Sequence, residues 1–210
     1  MNADLALIAG AIVRVGDGRG FIVEASQGHR LVITAAHCLP HIAPAHPASY
    51  THERTYPDLL GELSTEPCIW AECVFADLIA DIAVLSQPDS QELCEKSDAF
   101  ERFVASRTPL RVGAFTDGSP VWLRTLAGTW ERGIVEPQGG FAGFAITLAI
   151  TGAKLGILPG ASGSPIVSDL GTAIGIISCG RGLNPSLADC LPRRLFDVLV
   201  SAECQKERLS

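Results

Sequence analysis

Thr34-Ala35-Ala36-His37-Cys38 decides the reading of this chain, because two later segments answer it: Ala80-Asp81-Ile82-Ala83-Val84-Leu85 and Gly160-Ala161-Ser162-Gly163-Ser164-Pro165. They set a histidine, an aspartate and a serine in that order, each in a distinctive local setting. A serine hydroxyl is a poor nucleophile alone. It needs an imidazole to take its proton, a carboxylate to orient that imidazole, and backbone donors for an oxyanion. His37 follows an apolar run and two alanines, whose small side chains leave an imidazole unobstructed. Asp81 opens an apolar run, where a carboxylate is costly to bury unless paired, and His37 is the expected partner. Asp77 is the competitor, but the run that follows it is interrupted by Asp81 itself. Gly160 and Gly163 permit backbone conformations that a Cβ would forbid, so the chain around Ser162 can turn tightly and aim its amides inward. Each segment has a plainer reading: a core histidine, a strand-entry aspartate, a Gly/Ser/Pro turn. Their conjunction outweighs the three plain readings.

The same parts occur in different chain orders on unrelated folds, and His, Asp, Ser is the order of the chymotrypsin-like hydrolases. On these segments the chain resembles the trypsin/chymotrypsin-like serine peptidases, and is most similar to their compact bacterial members, from about residue 16 to about residue 200. The resemblance implies an all-β fold of two six-stranded antiparallel barrels with a C-terminal helix. Residues 1–98 would carry His37 and Asp81, and residues 99–210 would carry Ser162. It also implies a serine endopeptidase acting on a protein or peptide through an acyl-enzyme, with no metal or organic cofactor. His37 would be general base and then general acid, Asp81 its orienting carboxylate, and the amides of Gly160 and Ser162 the oxyanion hole. Gly156 would sit at the base of the primary specificity pocket. Ser178-Cys179-Gly180 would pair with substrate backbone, with Ser178 also supporting the Asp81 carboxylate.

The chain departs from the family pattern at several positions. Ala161 stands where the secreted relatives carry an aspartate that pairs with a newly cut N-terminus, so activation by that route is not expected. Gly156 has Leu155, Ile157 and Leu158 around it, which points to an apolar or small substrate side chain; Asp189 is the acidic residue that another wall of the pocket could supply. Cys179 replaces the usual tryptophan and leaves a thinner wall. The secreted animal relatives usually pair the cysteine of the His segment with one on the preceding strand, and residues 21–31 contain none for Cys38. These departures keep open a catalytically silent peptide-binding relative, a peptidase latent until a protein partner orders its oxyanion loop, and an esterase built on the same triad.

Bulk properties agree with a globular protein. The chain has 210 residues, 47% apolar and only 19% charged, enough to bury a real core and too apolar for disorder. A formal charge of -7 without any Lys/Arg cluster argues against a nucleic-acid partner. The apolar runs at 5–13 and 141–150 are too short to span a bilayer, and the first lacks the basic flank of an export signal. Seven cysteines, an odd number, with no such signal favour reduced thiols and a cytoplasmic protein. His37, Cys38, His41, His46 and His52 crowd one stretch, but their spacing fits no tight zinc signature.

Short apolar runs bounded by turn residues recur along the chain and predict strands near 11–15, 20–25, 31–34, 71–75, 82–85, 121–126, 130–135, 144–150, 164–167 and 173–178. The run at 5–13 is read as part of the first strand region. Residues 87–107 are polar, with Phe100, Phe103 and Val104 at helical spacing, and predict a linker with a short helix. Pro192 opens a final helix with Leu195, Phe196, Leu199 and Val200 on one face.

Overall fold

The computed structural model describes residues 4–25, 28–42, 51–114, 116, 118–138, 147–151, 159–178, 187, 191–197 and 199. Among these, six strands close a barrel in the order β1-β2-β3-β6-β5-β4: β1 Ile12–Val15, β2 Gly18–Glu24, β3 Arg30–Ala35, β4 Thr55–Gly61, β5 Ile69–Asp77 and β6 Ile82–Ser86. A second group, β7 Arg111–Val112, β8 Pro120–Arg124, β9 Trp130–Gln138, β10 Thr147–Thr151, β11 Pro165–Ser168 and β12 Thr172–Ile176, forms a six-stranded sheet in the order β10-β9-β8-β11-β12-β7. Its pairings are antiparallel except β7 with β12, which run parallel. The all-β expectation is met. The fully buried runs of β2 and β6 explain why these segments read as continuous apolar stretches rather than alternating ones.

The sequence reading lacked β4, β7 and a short helix at 51–54, and it took one helical segment for a strand. Residues 5–11 are a helix, α1 (Leu5–Ala11), and not the start of a strand. Asp4 caps it, its carboxylate accepting the amides of Ala6 and Leu7 at 3.1 and 3.2 Å, which satisfies two of the orphan donors of the first turn. The alanines and leucines that follow are strong helix formers, and the helix stops where β-branched Ile12 and Val13 begin β1. Strand β4 was not foreseen, because Pro57 and Asp58 interrupt it. Its pairing with β5 shifts register between Tyr56 and Leu60, and Asp58 takes a positive φ of 48°. The bulge turns Pro57 and Asp58 to solvent, while Tyr56, Leu59 and Leu60 stay in the core.

A short helix, α2 (Thr51–Arg54), precedes β4. The expected linker helix is α3, Cys94–Ala105, with Phe100 and Val104 buried and Phe103 packed against them. Arg30 of β3 closes its C-terminus, donating from Nη1 to the carbonyls of Val104 and Arg107, both at 2.6 Å. The chain then reaches the second sheet through Leu110, whose amide donates to Ile22 at 2.8 Å. Helical residues follow Pro192 as expected, with Leu199 buried. Val200 lies outside the described residues. Among the described residues no helix is long and apolar enough to cross a membrane.

Candidate active site

Strand pairing brings His37 and Asp81 together. β3 and β6 are antiparallel neighbours with Ala35 opposite Ile82, so the end of β3 meets the start of β6. Beyond β3, Ala36–Cys38 form a single 3-10 turn that carries His37 outward, and the Ala36 amide donates to the Asp81 carbonyl at 3.0 Å. The Asp81 carboxylate receives His37 twice: its Oδ1 accepts the His37 backbone amide at 2.9 Å, and its Oδ2 lies 2.7 Å from His37 Nδ1. A carboxylate oxygen only accepts, so the proton sits on Nδ1 and the opposite nitrogen, Nε2, is left as the acceptor. The ring is 39% exposed and the carboxylate 18%, so solvent reaches the imidazole more than its partner.

The backbone of Asp81 is held at φ 53°, in the left-handed region that costs an L-residue energy. Asp77, the sequence competitor, does not face His37. Its Oδ1 accepts the amides of Ile79 and Ala80 at 2.8 and 3.0 Å, bracing the turn that delivers Asp81.

The second sheet contributes by the same logic. β11 and β12 are antiparallel, with Pro165 opposite Ile176, so the residues before β11 stand beside those after β12. The Gly163 amide donates to the Ile177 carbonyl at 2.6 Å and the Ile177 amide to the Ser164 carbonyl at 2.9 Å. Ser178, the next residue, donates its hydroxyl to Asp81 Oδ2 at 2.5 Å, a contact between the two sheets. The Ser162 carbonyl accepts the Arg19 amide at 2.8 Å and lies 3.8 Å from the Cys38 thiol, directly after His37. Gly160 and Gly163 hold φ of 91° and 79°. At Gly163 a side chain is excluded outright, since a Cβ there would stand 1.9 Å from the Arg19 carbonyl oxygen.

His37, Asp81, Gly160, Ser162 and Ser178 are therefore gathered where the two sheets meet. Gly156, Cys179, Gly180 and Asp189 lie outside the described residues, as does His46. Of the other described histidines of the crowded stretch, His41 lies with its ring centroid 4.7 Å from that of Tyr56, tilted by 41°, and His52 Nε2 is 3.2 Å from Glu92. Burial raises the Cys38 thiol to about 11, so at neutral pH it is a neutral packing group beside His37. Motif reading passed over Arg19, whose main chain touches Ser162 and Gly163. The signal available was a charged residue between two glycines, just before the apolar run at 21–23.

A closed six-stranded barrel joined to a second six-stranded sheet, with the site at their junction, defines the chymotrypsin-like protease fold. No family model matches the sequence, and no curated protein is similar to it in sequence. Solved structures are similar in fold. The inactive form of the Rv3671c protease matches with a TM-score of 0.53 at 14% identity, over 88% of this chain and 87% of that one. The NS6 protease from murine norovirus 1 matches with a TM-score of 0.50 at 18% identity, over 88% of this chain and 93% of that one.

Proposed function

We propose that this chain is a serine endopeptidase of the trypsin/chymotrypsin-like kind. The observation that carries the reading is the double engagement of Asp81 by His37, with the Ser162 loop held against β2 and the turn that bears His37. In this reading the Ser162 hydroxyl attacks a peptide carbonyl while His37 Nε2 takes its proton. The imidazolium that forms is stabilised by Asp81 across the 2.7 Å contact. His37 then protonates the departing amine, and water resolves the acyl-enzyme by the same steps in reverse. The amides of Gly160 and Ser162 serve the oxyanion, each worth about 10²–10³ in turnover. Ser178 helps keep Asp81 in place by donating to the oxygen that also faces His37. A protein or peptide is the substrate. The fold likeness to proteases adds a prior and no residue roles.

The test is intact mass after treatment with a fluorophosphonate probe, on the wild type and on Ser162→Ala. The expected result is one adduct on the wild type and none on the variant. A folded wild type that takes no adduct, or a variant labelled as well as the wild type, would overturn the reading. Turnover in Ser162→Ala or His37→Ala should fall by about 10⁶, because members of such a triad act as a unit.

A further inference from the structure

Arg19 is a charged residue where its strand neighbours are apolar. It is 7% exposed, yet it serves both sheets at once. Its amide donates to the Ser162 carbonyl at 2.8 Å. Its carbonyl accepts the Thr34 hydroxyl at 2.7 Å and packs on Gly163. Its Nη1 crosses to the second sheet and donates to the carbonyls of Arg124 and Thr125, at 3.2 and 3.1 Å, at the end of β8. The turn it grips is self-braced: the Thr125 amide donates to Thr129 at 2.8 Å, the Gly128 amide to Thr125 at 3.1 Å, and the two threonine hydroxyls meet at 2.8 Å. Leu126, the first residue of that turn, backs Gly160, with its methyl carbons 3.8 and 3.9 Å from where a Cβ of Gly160 would stand.

The energetics point away from a purely stabilising role. Among the described residues no carboxylate lies within ion-pair reach of Arg19, and the charge that acts on it is Arg124, which repels it; burial and that repulsion both lower its pKa. A guanidinium buried on carbonyls alone loses hydration without a counter-charge. An apolar side chain of similar volume would avoid that cost. What the guanidinium adds is a planar, directional donor set that fixes the distance between two backbones. Ala161, buried next to Ser162, carries no charge by which the loop could be tied down.

We propose that Arg19 is a positioning residue for acylation: its guanidinium clamps the turn at Thr125–Leu126 to β2, and so holds Gly160 and Ser162 in the geometry that receives the oxyanion. The proposal rests on Ser162 being the nucleophile. The test compares wild type, Arg19→Met, Arg19→Lys, Leu126→Ala and the Arg19→Met/Leu126→Ala double variant. Each is checked for a cooperative melt, then measured for probe acylation and turnover of a small ester. In Arg19→Met the acylation rate and kcat should fall by about 10², the cost of a small misplacement at a reacting centre. KM should change little, and the pH midpoint should stay where it is, because the His37–Asp81 pair is untouched. Arg19→Lys should fall in between. Leu126→Ala should lower the same rate, and the double variant should be no worse than Arg19→Met alone, since both act through one turn. Unchanged rates in a folded Arg19→Met, a loss confined to KM, or additive losses in the double variant would overturn the proposal while leaving Ser162 as the nucleophile. If Arg19→Met does not fold, Arg19→Lys takes its place in the same cycle and is read by the same criteria. A wild type not labelled at Ser162 would overturn both readings together.

Discussion

At the scale of single residues, Asp81 carries the most chemistry in the smallest space. Donors from His37 and Ser178 converge on its two oxygens, and a positive φ places it there. The carboxylate's negative charge is what fixes the Nδ1–H tautomer of His37. An asparagine would keep the shape and still meet the backbone amide, but its amide group can present a donor to Nδ1 and so favour the tautomer with the proton on Nε2. Asp81→Asn should therefore stay folded while probe acylation near neutral pH falls by about 10⁴. A variant that acylates within tenfold of the wild type would show that Asp81 does not orient the imidazole. Most of this site was legible in the sequence. His37, Asp81 and Ser162 stand out because catalysis constrains both a residue and its immediate neighbours, so each leaves a local string. Arg19 left none. Its importance comes from a carbonyl at 125 and a glycine at 163, and no local pattern records contacts between positions so far apart in the chain.

At the scale of elements, strands were legible where consecutive apolar residues mark them, and β4 was not because its apolar residues are split. β2, β3 and β6 each contain a run of consecutive apolar residues, at 21–23, 31–33 and 82–85, whereas β4 hides a proline and an aspartate inside a strand whose flanks alone are buried. α1 was read as strand because Leu5–Ala11 is apolar enough for either element; the Asp4 cap is the local feature that decides it. The pairing between β2 and the His37 turn supports a further prediction. The residue that faces Cys38 is Gly18, just upstream of the stretch searched for a cysteine partner. A Cβ built on Gly18 stands 3.6 Å from Cys38 Cβ, inside the range of disulfides. Gly18→Cys should therefore cross-link to Cys38 under mild oxidation, enclosing β2 and β3 in one loop. The new Cβ would also lie 2.8 Å from the Ser162 carbonyl, which must give way. The stabilisation should thus fall short of the roughly 3 kcal/mol expected for a loop of that length, and acylation should slow as the nucleophile loop shifts. Thiol titration after oxidation decides it: both thiols lost means the bond forms, and both still reactive means Gly18 does not face Cys38 as described.

At the scale of the whole molecule, the larger of two apolar clusters runs from α1 through the first barrel and α3 to Val112, Val167, Ala173 and Ile176 of the second sheet. The two sheets are therefore coupled by packing as well as by Arg19 and Ser178. Any group that must ionise inside that core acts on the stability of the whole fold. Cys38 and Cys73 are such groups: burial raises both thiols from an ordinary value of 9.0 to about 11. Tyr56 follows, raised to about 12 by burial and by its proximity to Cys73. A folded-state value above the unfolded one means that the fold favours the protonated thiol. The associated stability is fully present below pH 9.0, and is lost as pH rises toward about 11, because the unfolded chain releases its protons first. Under reducing conditions, urea-unfolding free energy should thus drop steeply with pH across that window. Cys73→Ala will be less stable at every pH for want of packing, but its slope across the window should be shallower, since one of the ionising groups is gone. The slope rather than the absolute value carries the argument. If wild type and Cys73→Ala lose stability in parallel, the Cys73 thiol is not held neutral by the core, and the alkaline loss comes from other groups.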